Sequence, residues 1–229
     1  MSLKKEQTDS IKSTITFKQQ LLFAIGGCGI FMLFNLVNIF FANFYIPPKH
    51  VGLPNFIPYE NILFFINTIG LLIFLGRVFD AVTDPFIGNK SDTYQGKSGK
   101  RLPFMRIGII APLFCFMIFY PIVQKSTYIN FLWVGILQLI FYFFLTLYSI
   151  PFLALIPELS KSTKDRLNLS TALAIGISLS TVFVGLSTVV WSAFEKQGDS
   201  ALIARQKAFA IICILAFIFM VIAVLFIKE

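Results

Sequence analysis

Two carboxylates and a guanidinium stand close together in an otherwise apolar stretch, Arg77-Val-Phe-Asp80-Ala-Val-Thr83-Asp84-Pro85. Arg77 and Asp80 are three residues apart, and Asp80 and Asp84 four, so on a helix all three share one face. Thr83 lies beside that face and offers a hydroxyl. Fully ionised, the face keeps one net negative charge, which a single Na⁺ or H⁺ neutralises. That is the chemistry of an ion-coupled site: the cation removes the cost of a charge held in hydrocarbon and lets the helix move. Oxygen ligands suit such a hard cation. Two plainer readings exist: Arg77 and Asp80 form only a packing salt bridge, or Asp84 is a solvated residue near the inner helix end.

The elements that must position this face are membrane helices. Of 229 residues, 57% are hydrophobic, only 13% are charged, and 28 are Phe. Soluble domains carry roughly a quarter charged residues, and mean hydropathy here is +0.81. This composition excludes a soluble enzyme domain, a disordered chain and a disulfide scaffold, and predicts an all-α polytopic membrane protein. The net charge of +8 sits in short segments between apolar runs. That pattern suits loops facing anionic lipid rather than nucleic acid. Cys28, Cys115 and Cys213 lie inside apolar runs, without CxxC spacing, and His50 is the sole histidine. The chain therefore has no partners for a catalytic triad or a zinc site, and no enzyme activity or resident metal is expected.

A helix needs about 20 apolar residues to cross a bilayer. Six such runs are predicted, at 19–45, 61–87, 104–123, 131–156, 169–194 and 208–227. They give a cytoplasmic tail over 1–18 and a six-helix bundle over 19–229, with no linker that would separate two domains. The tail, with Lys4, Lys5, Lys12 and Lys18, is not a secretory leader: the first apolar run is too long and lacks a cleavage site. With that tail inside, the inner segments hold 13 of the 19 Lys and Arg residues and the outer ones five. Both termini are thus expected in the cytoplasm. The outer segment 46–60, with Pro47, Pro48, Pro54 and Pro58, is predicted to be an irregular cap. Gly26, Gly27 and Gly29, and Ala172, Gly176 and Ser180, read as close-packing helix faces. The richness in Phe, Ile, Lys and Asn points to an AT-rich, bacterial genome, and so to a bacterial inner membrane.

Two motifs carry a family resemblance. Arg77 to Gly88, followed by Asp92, Gly99, Lys100, Arg101 and Pro103-Phe104, resembles the second helix and following loop of glycoside–pentoside–hexuronide:cation symporters. These are melibiose-permease-like members of the major facilitator superfamily. The stretch Tyr148-Ser149-Ile150-Pro151-Phe152-Leu153-Ala154-Leu155-Ile156-Pro157-Glu158-Leu159, with Arg166 beyond it, resembles the family's fourth helix. The resemblance covers the N-terminal half of a family member.

The resemblance implies cation-coupled secondary transport of a sugar or related small solute by alternating access, with no cofactor other than Na⁺ or H⁺. It places Asp80, Asp84, Thr83 and Ser149 at the cation. Arg77, Asn35, Tyr148 and Gln138 are read from their polarity, spacing and chemistry as candidates for the solute cavity. Gly88, Asp92, Gly99, Lys100, Arg101, Glu158 and Arg166 fall on a cytoplasmic latch. Other residues depart from the family pattern. Cys28 stands where the melibiose permease has a sugar-binding Asp, Ser149 where it has an Asp, Ala174 where it has an Arg, and Thr83 where it has an Asn. Galactoside specificity is therefore not carried over, and H⁺ coupling stands beside Na⁺. Gln138, Tyr142 and Thr146 form an i,i+4 stripe on the fourth span, and Asn35 and Asn38 are polar at depth on the first. A second six-helix half or a homodimer partner is expected to complete the carrier. The rival readings are a lysolipid transporter of the same fold and a non-transporting half that needs a partner.

Overall fold

The computed structural model describes residues 15–63, 66–96 and 99–227. The expected tail is described only from Ile15 onward; Lys4, Lys5, Lys12, Lys97 and Lys228 lie outside the described residues. The chain forms α1 (Phe17–Tyr45), α2 (Thr68–Thr93), α3 (Leu102–Gly108), α4 (Ala111–Ile118), α5 (Tyr128–Leu159), α6 (Thr163–Lys196) and α7 (Ala201–Phe226). A short antiparallel pair, β1 (Asn61–Leu63) and β2 (Ile66–Asn67), precedes α2.

Polar residues in the loops decide where the long helices begin. The first amides of a helix lack intrahelical acceptors, and a Ser, Thr or Asn side chain supplies one. Thr16, Asn67, Thr127, Ser162 and Ser200 do this for α1, α2, α5, α6 and α7. Thr16 and Gln19 complete a reciprocal capping box. The cap at Asn67 also corrects the predicted second span: Asn61–Leu63 and Ile66–Asn67 form the β pair, and the helix runs from Thr68 to Thr93 instead of 61–87.

The third predicted span is broken. Its helix stops at Gly108 and restarts at Ala111. Pro112 has no amide to give the Gly108 carbonyl, and its ring crowds that carbonyl. Together α3 and α4 cover Leu102–Ile118, or about 25 Å of rise, short of a typical hydrocarbon core. Four helices are long and apolar enough to cross a membrane: α1, α5, α6 and α7. α2 has 26 residues, but Arg77, Asp80, Asp84, Lys90 and Asp92 lower its apolarity. The all-α membrane fold therefore stands, with four helices among the described residues long and apolar enough to cross a membrane where six spans are expected.

The helices pack in two groups, α1 with α6 and α7, and α5 with α2, α3 and α4. Small residues make the first group tight, as their spacing predicts. A Cβ on Gly176 would lie 2.2 Å from the Ala24 carbonyl oxygen, and one on Gly29 2.9 Å from that of Ala216. Gly108 serves the second group, where a Cβ would approach Tyr148 to 2.7 Å. The segment after α1 caps one end of the bundle. It buries Phe56 and Ile57, and the Asn130 amide holds it by donating to the carbonyls of Phe56 (2.8 Å) and Val123 (2.7 Å). Phe44, Phe56, Phe119 and Phe209 form an aromatic cluster beneath the cap.

Candidate functional site

A cavity of about 240 Å³ lies on the seam between the two helix groups. α2 contributes Asp80 and Asp84, α5 contributes Tyr142, Thr146 and Ser149, and α1 closes it with Phe31 and Phe34. The i,i+4 spacing read from the sequence thus brings both carboxylates to one space, with Ser149 beside them. The Thr146 hydroxyl donates to Asp84 Oδ1 at 3.1 Å. Oxygen-bearing side chains of Asp80, Asp84, Tyr142, Thr146 and Ser149 thus line one space within an apolar bundle. Oxygen is the ligand atom that hard cations prefer.

Arg77 stands at the rim. Its Nη1 is 3.6 Å from Asp80 Oδ2, a loose contact, while Nη2 donates to Asn38 Oδ1 on α1. The guanidinium lies 5.1 Å from the Phe34 ring centroid and 6.0 Å from that of Tyr142, distances at which cation–π attraction operates. Arg77 thus bridges the two helix groups, and nearly half of its side chain (43%) stays exposed.

Four expected site residues are placed elsewhere. Thr83 is buried away from the cavity, and its hydroxyl donates back to the Phe79 carbonyl at 2.9 Å. Threonine in a helix satisfies its hydroxyl this way when no better partner faces it. Asn35 donates to Ser180 (3.0 Å) and Thr181 (3.1 Å), tying α1 to α6. The Tyr148 hydroxyl donates to the Met220 carbonyl at 2.8 Å, and its ring is fully buried against α7. Gln138 points into the α2–α5 contact, where Nε2 donates to the Leu72 carbonyl at 3.2 Å. Of the polar stripe on α5, only Tyr142 and Thr146 reach the cavity. Cys28, at the position of a family Asp, is also buried.

The residues expected to form the latch gather around one of their number, Arg101. Arg101, at the N-cap of α3, donates to Glu158 Oε1 through Nε (3.0 Å) and Nη2 (2.8 Å). Its Nη1 pairs with Asp92 and donates to Ser91 Oγ at 2.7 Å. Burial pulls the guanidinium pKa down, but the hydrogen bonds and charges of Glu158 and Asp92 outweigh it, and the net shift is upward. Gly88 packs against Ile150, and Gly99 takes the left-handed conformation (φ 92°) that a glycine permits before Arg101. Lys100 and Arg166 are exposed and join no ion pair among the described residues, so they are not part of the latch seen here. Ser91 belongs to it and was missed; its place one residue before Asp92 was the available signal. Asp165 was missed too: it is buried and accepts the Ile15 amide at 3.2 Å.

With this geometry in view, comparison with known proteins defines the class. The chain matches the MFS/sugar transport protein family over residues 22–229, and it belongs to that family. It is 31% identical over 123 residues to an uncharacterized symporter of Synechocystis, a match covering 48% of this chain and 22% of the relative. It is 25% identical over 156 residues to a glucuronide carrier protein homolog of Escherichia coli, covering 64% of this chain and 32% of the relative. The matches thus span under a third of each relative's length. They agree with the resemblance of the second- and fourth-helix motifs to glycoside–pentoside–hexuronide symporters. The chain is an integral membrane protein of the MFS/sugar transport family, within the major facilitator superfamily.

Proposed function

We propose that this chain forms one half of a carrier that couples movement of a sugar or related small solute to Na⁺ or H⁺ by alternating access. The observation that carries this reading is the shared cavity of Asp80 and Asp84. Two carboxylates and the nearby Arg77 keep one net negative charge there, and a monovalent cation removes it. The cation then makes the closed, desolvated state accessible, which is how binding drives rocking. Thr146 and Ser149 supply the neutral oxygens of the cation site. The glucuronide in the name of the Escherichia coli relative makes a sugar acid one solute to test. A second six-helix half, or a second copy of this chain, completes the transport path. The latch end faces the cytoplasm of a bacterium, with both termini on that side.

The test is uptake by the complete carrier in membrane vesicles under an imposed Na⁺ or H⁺ gradient. Asp80→Asn is expected to abolish gradient-driven accumulation of labelled sugar while leaving the protein in the membrane. Undiminished gradient-driven accumulation in that variant overturns the reading.

A further inference from the structure

At the capped end of the bundle, α1, α6 and α7 enclose a second cavity of about 240 Å³, roofed by Pro48 and Val51. Its walls are aromatic. Phe40, Trp191 and Phe209 meet with ring centroids 5.3–6.0 Å apart. Three polar side chains reach the same space: Asn43, Thr188 and Arg205. The Arg205 side chain is only 14% exposed, and its guanidinium lies 5.2 Å from the Trp191 ring centroid. The Ala201 carbonyl at 2.9 Å and Glu195 Oε1 at 3.6 Å both engage its Nη1. A guanidinium carries five N–H donors in a fixed fork.

The chemistry selects the ligand. Arg205 and Glu195, a loose pair at 3.6 Å, together carry no net charge, so the surroundings favour neither an anion nor a cation. Ring faces favour a flat or puckered ring with C–H bonds on its side. The amide of Asn43, the hydroxyl oxygen of Thr188 and the fork of Arg205 offer donors and acceptors around that ring's edge. The volume lies just under the roughly 300–1,000 Å³ of drug-sized ligand sites, so it suits one ring. We propose that this cavity is a docking site for a neutral, hydroxylated pyranose-type ring at the mouth of the carrier. The proposal rests on the sugar reading given above, which it extends by a second site.

The test uses the complete carrier in vesicles with Thr188→Cys. Alkylation of that thiol by N-ethylmaleimide is followed peptide by peptide by mass spectrometry. Methyl β-D-glucopyranoside is expected to slow the labelling in a saturable way, and to do so equally in an Asp80→Asn background. Adding Arg205→Lys is expected to raise the half-protecting concentration about tenfold, the loss of one charge-assisted, forked contact. A carrier that accumulates a sugar while labelling at this position stays unchanged loses the site and keeps the transport reading. Saturable protection in a carrier with no gradient-driven uptake keeps the site and overturns the transport reading. Stronger protection by methyl β-D-glucuronide than by the neutral glucoside overturns the neutral-ring assignment.

Discussion

The seam cavity and the latch contain the same charged groups, one arginine and two carboxylates, yet they are built for opposite ends. In the latch, Arg101 is 8% exposed and holds Glu158 through two nitrogens at 2.8 and 3.0 Å while also pairing with Asp92. Its guanidinium pairs with both acids. In the cavity, Arg77 is 43% exposed, its carboxylate contact is 3.6 Å, and it donates to a neutral amide on another helix. Asp84 has a threonine for a partner instead of a cation. The difference comes from where each arginine starts. Arg101 leaves a helix N-cap and reaches across to the ends of two other helices, so its fork can close on both acids. Arg77 sits on the same helix as its acids, where an i,i+3 side chain can only lie alongside. One arrangement is a clasp; the other leaves negative charge available to an ion.

The sharpest way to break this contrast is to neutralise one acid in each place. Asp84→Asn should lower cation-driven uptake by the complete carrier by about 100-fold, the scale of losing one charge from a desolvated site. Asp92→Asn, at an exposed latch position (59% side-chain exposure), should lower it only a few-fold. Equal losses would show that the cavity acids are structural like their latch counterparts. The arginines should show the reverse order in stability. Arg101→Gln removes charge-assisted bonds to buried Ser91 and to Glu158, costing about 2 kcal/mol and about 4–8 °C in melting temperature in detergent. Arg77→Gln should cost less than about 1 kcal/mol, because its ion pair is long and half exposed. A larger drop for Arg77→Gln would make the seam arginine the main clasp between the helix groups.

Much of this was legible in the sequence, and the failures share a cause. Spacing along one helix placed Asp80 and Asp84 together, and the resemblance of the two motifs put Asp92, Arg101 and Glu158 among the expected latch residues. Periodicity gave the faces of α1 and α6 that pack through glycine. What spacing alone could not supply was rotation against neighbours. Thr83 adjoins the acidic face yet turns into the protein, and Tyr148 and Asn35 found hydrogen-bond partners on α7 and α6. Buried polar groups take whatever partner the tertiary packing offers, and that partner lies more than 70 residues away. The break in the third span was readable in principle, because Pro112 falls four residues after Gly108. Apolarity masked it: the run 104–123 remains hydrophobic whether or not the helix is continuous.

The finest distinction between cavity and scaffold lies in two threonines. Thr146 and Thr83 are both buried, at 4% and 8% exposure, and both hydroxyls are hydrogen-bonded. Thr146 donates to a carboxylate that faces the cavity; Thr83 donates to its own helix backbone. Valine has nearly the shape of threonine, so Thr→Val at each position removes the hydroxyl with little change in packing volume. Thr146→Val removes the hydroxyl that donates to Asp84 and takes an oxygen from the proposed ion site. The expected loss of about 1 kcal/mol corresponds to a roughly fivefold higher half-saturating cation concentration in uptake assays. Thr83→Val removes only a local bond to carbonyls that already accept within the helix, so the same measurement should stay within about twofold of the parent. If Thr83→Val shifts the cation dependence and Thr146→Val does not, the helix must rotate in the working carrier and bring the other face to the ion.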